Sequence, residues 1–424
     1  MANKPESDKQ RNYTLMMLVI VYASSHVDRN IVGILGQAIK ESLLISDTEL
    51  GILTGLAFAA FYATLGMPMA MWADRHNRRN LISVSVALWS LATVMCAAAQ
   101  NYWQLLIARM CVGVGEAGSS PPSHSMISDL FPPEKRATAL AIFGTGANIG
   151  VLLGLLIGGW INEWLDWRWA FVVVGLPGFA IAWVVRFRVK EPKRGQFDGD
   201  SDVAAAPPLR KVFSVMLRSA LMRNAVLGST FIVFSAYGVG FWIAVYLVRV
   251  HEMSTGIAGT LLALIGGVIG GIGTLFSGWL ADKLAVHNPG WRAWVIAGAF
   301  IISAPFSVGV YLLDDPFWVI ALYVVPAFFG GAFIGPGFAI IQSNMPVEMR
   351  SVAAGITLFV LNILGLSLGP LLVGVISDMM SASMGVDSVR YGLLLMIVMT
   401  LIGSAFYIRA GFLLQRNGDR VPSA

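Results

Sequence analysis

Long apolar runs alternate with short polar interruptions over almost the whole chain. Predominantly apolar stretches occupy 13–39, 48–72, 79–99, 102–128, 137–162, 168–189, 221–248, 255–281, 292–313, 316–343, 351–379 and 389–413. At ~1.5 Å of rise per residue, about 20 such residues cross the ~30 Å hydrocarbon layer as a helix, which satisfies its own backbone in lipid. The pattern predicts an all-α membrane protein of twelve transmembrane helices. One stretch differs: KEPKRGQFDGDSDVAAAPPLRKV, residues 190–212, is polar, contains Gly and Pro and lacks an apolar period. It reads as an exposed cytoplasmic linker between an amino-terminal six-helix half, 1–189, and a carboxy-terminal half, 213–424.

Composition agrees, with 56% hydrophobic and 12% charged residues among 424. The net charge of +5 does not call for a nucleic-acid partner, because the distribution of the basic residues explains it. With the amino terminus inside, cytoplasmic tails, loops and helix ends carry 23 of the 29 Lys and Arg, and the other side only Lys40, Arg168, Arg249 and Arg390. Arg29 and Arg109 lie within spans and complete the set. This asymmetry predicts both termini in the cytoplasm and an even number of spans; the membrane expected is the plasma (cell inner) membrane. Cys96 and Cys111 fall inside apolar runs and read as reduced packing residues. The first run resembles a signal peptide at its start, but it continues past Asp28 to Ile39 and reads as an uncleaved first helix.

The two halves repeat. Ser46 to Asp74 covers the second span and ends in MAMWADRHNRR; Ser254 to Asp282 covers the eighth and ends in SGWLADK, at the same internal spacing. Pro132, Glu134, Arg136 and Asn148 recur as Pro346, Glu348, Arg350 and Asn362, each displaced by 214. Two six-span halves joined by a polar loop are the mark of parallel-repeat transporters. The stretch from Ala70 through Asp74, Arg75, Arg78 and Arg79 resembles the loop motif of the major facilitator superfamily, and Gly278 to Lys283 its second-half copy. Ala70 and Asn77 stand where that family usually has glycine. The resemblance implies a cytoplasmic gate at Asp74, Arg75, Arg78, Arg79 and Asp282. A plain topology-setting basic loop is the alternative.

Charge inside the spans is concentrated in the first half. Arg109 and Glu116 lie seven residues apart in the fourth span, about two helical turns, and so leave it on nearly one face. Charges at that depth cost about 2.5–3.5 kcal/mol each on insertion scales, and they default to a functional reading. Asp28 and Arg29, roughly 22 Å along the first span at ~1.5 Å per residue, lie level with them. His26-Val-Asp28-Arg29-Asn30 together with Arg109-Met-Cys-Val-Gly-Val-Gly-Glu116-Ala is similar to the spinster branch of the superfamily, in a bacterial-type homologue. Members of that branch move lysophospholipids or sphingolipids. Asp28, Arg29, Arg109 and Glu116 are the candidate proton-coupling and head-group site, with His26 as a possible relay. A static ion-pair network is the rival reading. Gly113-Val-Gly115-Glu-Ala-Gly118 matches G-x-G-x-x-G, yet it lies within a span rather than after a strand, so the glycines read as packing positions, like those of the fifth span.

The second half offers amides and aromatics instead. Phe231, Phe234, Tyr237 and Phe241 with Asn362 are candidates for an apolar cavity wall, or else the aromatics face lipid. A cavity charged on one wall and apolar on the other suits an amphiphile. The expectation is a secondary active transporter working by alternating access, proton-coupled and carrying an amphiphilic lipid such as a lysophospholipid or sphingoid lipid. A drug exporter or organic-anion transporter of the same superfamily is the alternative, and a membrane receptor or scaffold stands behind both. Motifs for an enzyme, a metal or a cofactor are not found, so none is expected. The expected partners are the substrate, protons and membrane lipids, with the chain a monomer.

Overall fold

The computed structural model describes residues 8–197 and 208–418, without the side chains of 74, 137, 347, 351 and 417. Lys4, Arg420 and the middle of the linker lie outside the described residues. Every regular element among those described is a helix. In chain order they are α1 (Asp8–Leu43), α2 (47–75), α3 (Arg78–Ala97), α4 (102–130), α5 (Pro133–Trp164), α6 (Trp167–Arg188), α7 (Ala220–Arg249), α8 (Thr255–Ala285), α9 (Trp291–Leu312), α10 (Pro316–Ser343), α11 (350–384) and α12 (Ser388–Gly418). A further short helix, Leu209–Arg218, precedes α7.

Ten continuous stretches among the described residues are long and apolar enough to cross a membrane. One of them, Val352–Arg416, holds both α11 and α12, which a turn at Gly385 separates. Gly385 has φ +55, a conformation glycine adopts without the Cβ clash. The remaining span is α4, which is broken. Tyr102–Ala117 stops at Gly118, and a new helix, Ser120–Leu130, begins with Pro121 and Pro122 in its first turn. Proline suits that position because its missing N–H has no helical acceptor there. The spans so counted among the described residues are the twelve expected, six before and six after the linker.

The repeat is visible in bonds as well as letters. Ser46 caps α2 by accepting from the Glu49 N–H, and Ser254 caps α8 by accepting from the Ile257 N–H. Arg136 Nε donates to the Phe131 carbonyl at 3.4 Å, and Arg350 Nε to the Met345 carbonyl at 3.2 Å. Both α2 and α8 also contain a wide turn with i→i+5 bonding, at Ile52–Leu56 and Ala263–Ile269.

Two compact units emerge, and they follow the halves except at the starts of α2 and α8. The first comprises 8–45, 56–197 and 254–263 of the described residues, the second 46–55, 208–253 and 264–418. In the first unit α5 lies against α1 backbone to backbone. A Cβ at Gly146, Gly150 or Gly154 would strike the carbonyl of Val19, Ala23 or Val27, so glycine permits the approach. Gly144 departs from the expected stripe, having open space beside it. In the second unit hydroxyls and indoles tie helices together. Ser229 Oγ meets Tyr407 OH at 2.5 Å, Trp242 Nε1 donates to the Pro370 carbonyl at 2.8 Å, and Tyr246 OH donates to the Val310 carbonyl at 2.7 Å.

The linker is less detached than its composition suggests. Arg194 Nη2 donates to the carbonyls of Ala73 and His76, both at 2.6 Å, and the Gly195 N–H donates to Asp129 Oδ1 at 2.9 Å. At its far end Val212 and Met216 are buried in the core of the second unit.

Candidate functional site

Four ionisable groups of α1 and α4 converge inside the first unit. Arg29 Nε donates to Glu116 Oε2 at 2.6 Å, and Glu116 is fully buried. Arg109 Nη1 donates to the main-chain carbonyl of Asp28 at 3.3 Å, so it meets the α1 backbone rather than a carboxylate. Asp28 is 1% exposed and its Oδ1 has no hydrogen-bond partner; Arg109 Nε and Glu116 Oε1 are in the same position. Adjacent residues on a helix point ~100° apart, which is why Arg29 takes Glu116 while the Asp28 side chain goes elsewhere.

The glycines of α4 set this geometry. A Cβ at Gly113 would come within 2.7 Å of the Phe58 carbonyl on α2, and one at Gly115 within 2.8 Å of Trp89 on α3. Gly118 lies as tightly against Ser85 of α3. The three glycines of the G-x-G-x-x-G string therefore let three helices close around Glu116. His26 bonds within its own helix: its Nδ1 lies 3.0 Å from the Tyr22 carbonyl, and its ring stands edge-on to Tyr22 at 4.4 Å. His26 thus makes a local contact on α1, and no bond to Asp28 accompanies it.

At the opposite end of the bundle, the motif arginines separate by environment. Arg75 is exposed, and the Asp74 side chain lies outside the described residues. Arg78 is buried, with an ion pair to Asp129, a 2.8 Å bond to Glu191 Oε1 and further bonds to Ser125 Oγ and the Pro192 carbonyl. The Arg79 N–H donates to Glu191 Oε2 at 2.8 Å, and its side chain reaches Asn80. In the second unit Asp282 is largely exposed, 3.8 Å from Arg292. The aromatics of α7 also diverge. Phe231 stacks on Phe406 of α12 at 5.9 Å, Phe241 is buried edge-on to Trp242, and Tyr237 is exposed. Phe234 lies where its backbone meets Gly365 and Gly369 of α11, and Asn362 sits about one turn before Gly365, in a wide turn of that helix.

The sequence profile of the Major Facilitator Superfamily matches residues 18–370. The chain belongs to that superfamily. Among relatives of this transporter, an "MFS-type efflux pump" of Mycolicibacterium smegmatis is 30% identical over 396 residues, covering 92% of the chain and 90% of the pump. "Protein spinster homolog 1" of Xenopus tropicalis is 26% identical over 442 residues, covering 97% and 82%. Among solved structures, an inward-facing, unoccupied bacterial homologue of the human lysosomal transporter spinster superposes with a TM-score of 0.89. It is 27% identical, and the match covers 99% of this chain and 100% of that one.

Sequence reasoning missed two parts of the transporter. The first is an aromatic flank to the charged cluster. The Arg29 guanidinium lies 4.4 Å from the Tyr62 ring centre and 4.8 Å from that of Phe58, and Arg109 approaches Phe58 at 5.6 Å. The signal was an aromatic pair four residues apart on α2, which by itself resembles any apolar helix. The second is a knot at the start of α2. Arg249 grips Asp47 with two parallel bonds of 2.7 Å, Ser377 donates to the same carboxylate, and Asp378 accepts from the N–H groups of Asp47 and Thr48. Arg249 had been read only as one of the few basic residues on the outer side.

Proposed function

We propose that this superfamily member is a proton-coupled secondary transporter that moves an amphiphilic lipid, such as a lysophospholipid or sphingoid lipid, by alternating access. The observation that carries the reading is the ion pair between fully buried Glu116 and Arg29, which is 19% exposed, with the Asp28 carboxyl beside it lacking a partner at Oδ1. A proton on Glu116 cancels the charge that holds Arg29. The guanidinium, still flanked by Phe58 and Tyr62, is then free to accept an anionic head group, to which its planar fork is suited. Removing the proton restores the pair and expels the head group. Proton and substrate are thereby exchanged at one site, with Asp28 as the second carrier. The aromatic side chains of α7 and the amide of Asn362 supply the apolar wall. The halves 1–189 and 213–424 are the rocking bodies, Asp74, Arg75, Arg78, Arg79 and Asp282 the cytoplasmic gate, and both termini face the cytoplasm of a plasma-membrane monomer. Similarity to spinster proteins across nearly the whole chain supports the substrate class.

A second reading has its own support: the 30% identical relative is named an efflux pump, and Arg29 would serve an anionic drug equally well. Flux of a labelled lysophospholipid into proteoliposomes, with and without an imposed pH gradient, separates the two. The lipid reading expects gradient-stimulated flux above that of empty liposomes, with the stimulation lost in Glu116→Gln. Flux no greater than that background in the wild type rejects the lipid. Gradient-stimulated flux that survives Glu116→Gln intact rejects Glu116 as the proton carrier and leaves the static pair.

A further inference from the structure

The short helix Leu209–Arg218 has three distinct surfaces. Val212 and Met216 are buried among Leu221, Met222 and Met349 of the second unit. Leu209, Phe213 and Leu217 are about half exposed, at 52%, 46% and 50%. At ~100° per residue these three fall within about 80° of one another, beside the buried face. Arg210, Ser214, Arg218 and Lys211 occupy the next ~100°. Residues 209–223 contain four basic side chains and no acidic one.

The orientation of this helix is fixed. Ser219 ends it in an extended conformation and, through its side chain, caps the first turn of α7. Arg223, one turn into α7, reaches back to donate to the carbonyls of Leu217 and Arg218, at 2.6 and 3.3 Å. A cation there meets the negative end of the helix dipole and satisfies its last acceptors. The short helix therefore meets the membrane span α7 at a braced corner, at the level where the span begins.

An exposed apolar stripe and a basic arc side by side at that level match the boundary between acyl chains and head groups. The geometry points to Leu209–Arg218 as an interfacial helix that binds an anionic phospholipid surface, with Leu209, Phe213 and Leu217 in the acyl layer. Arg210, Lys211 and Arg218 lie on the phosphates. The charge complementarity selects acidic over zwitterionic lipid, since each basic residue near an anionic surface contributes roughly a fivefold preference. The site is independent of the transported substrate.

The test uses the full-length protein in nanodiscs, with a fluorophore on Phe213→Cys in a Cys96→Ala, Cys111→Ala background. Its quenching is read with brominated phosphatidylglycerol or brominated phosphatidylcholine, each diluted into the same bilayer. Both lipids should quench, the glycerol lipid at least about fivefold more effectively at low salt. That preference should collapse in 0.5 M salt (an assay condition) and in the Arg210→Gln, Lys211→Gln, Arg218→Gln variant. Equal quenching by the two lipids at low salt overturns the assignment. So does quenching by aqueous iodide alone, which would leave the stripe to a protein partner. The salt titration needs no charge variant, so a folding failure of the triple mutant does not protect the idea.

Discussion

The two repeats share a fold and divide the polar chemistry unequally. In the first unit, charged side chains meet in the interior around α1 and α4: Arg29 pairs with Glu116, Arg109 donates to the Asp28 main-chain carbonyl, and Arg78 pairs with Asp129 further down. In the second, the corresponding interior contacts are neutral, as in Ser229 with Tyr407 and Ser235 with Thr400. Its buried ion pair, Arg249 with Asp47, is placed at one end of α7 rather than along it. Neutral hydroxyl bonds are enough to hold transmembrane helices in register. Charges buried along the middle of the first unit exceed what packing requires, and this contrast is the physical ground for placing function there.

The contrast can be attacked directly, beginning with the largest effect. Glu116→Ala should destabilise the protein by about 2–3 kcal/mol, below the loss for a fully buried pair, because Arg29 loses its counter-charge but is 19% exposed. Thermal unfolding in detergent measures it, and a loss under about 1 kcal/mol would mean that the exposed part of Arg29 is solvated well enough to do without Glu116. Asp378→Ala should cost about 1–2 kcal/mol, the usual loss for a side chain that caps a helix start, since the N–H groups of Asp47 and Thr48 lose their acceptor. Tyr407→Phe removes only the partner of Ser229 and should cost about 1 kcal/mol. If it equals the loss in Glu116→Ala, the division between ionic and neutral halves has no energetic meaning.

The smallest effect concerns pH. His251, in the loop after α7, bonds the Tyr246 hydroxyl at 2.8 Å. Burial, and then the positive charge of Arg390, hold its imidazole below the ordinary value of 6.5. The folded chain thus refuses a proton that the unfolded chain accepts. Its contribution to stability is complete above about pH 6.5 and declines as pH falls toward the folded value. The melting temperature of His251→Gln should fall less than that of the wild type between pH 7.5 and 5.5 (assay conditions).

Much of this was legible in the sequence, for identifiable reasons. Span length follows from bilayer thickness, and the repeat showed through fixed offsets such as Arg136 to Arg350. The arrangement of Arg29 and Glu116 was accessible because a helix has one period and both spans could be measured from their ends. The aromatic flank of Phe58 and Tyr62 was not, since nothing in an apolar helix marks which ring will lie under a guanidinium. Asp47 and Arg249 are 202 residues apart, and each looked like an ordinary charge at a span end. The break in α4 is half visible in the letters: Pro121-Pro122 suit a helix start, whereas nothing in an apolar run marks the stop at Gly118 and Ser119.

The duplicated bond from an arginine side chain to the carbonyl five residues earlier has a historical meaning. Phe131 and Arg136 share no letter-for-letter context with Met345 and Arg350 beyond a few positions, yet the same knot closes the same corner. A six-helix ancestor that already tied this corner, copied and fused in tandem, accounts for both. What both copies keep is the tie beside the start of α5 and of α11, and what differs is the polar chemistry inside each half. Transplanting 131–136 onto 345–350 should therefore yield a chain that still folds, a graft between siblings rather than strangers.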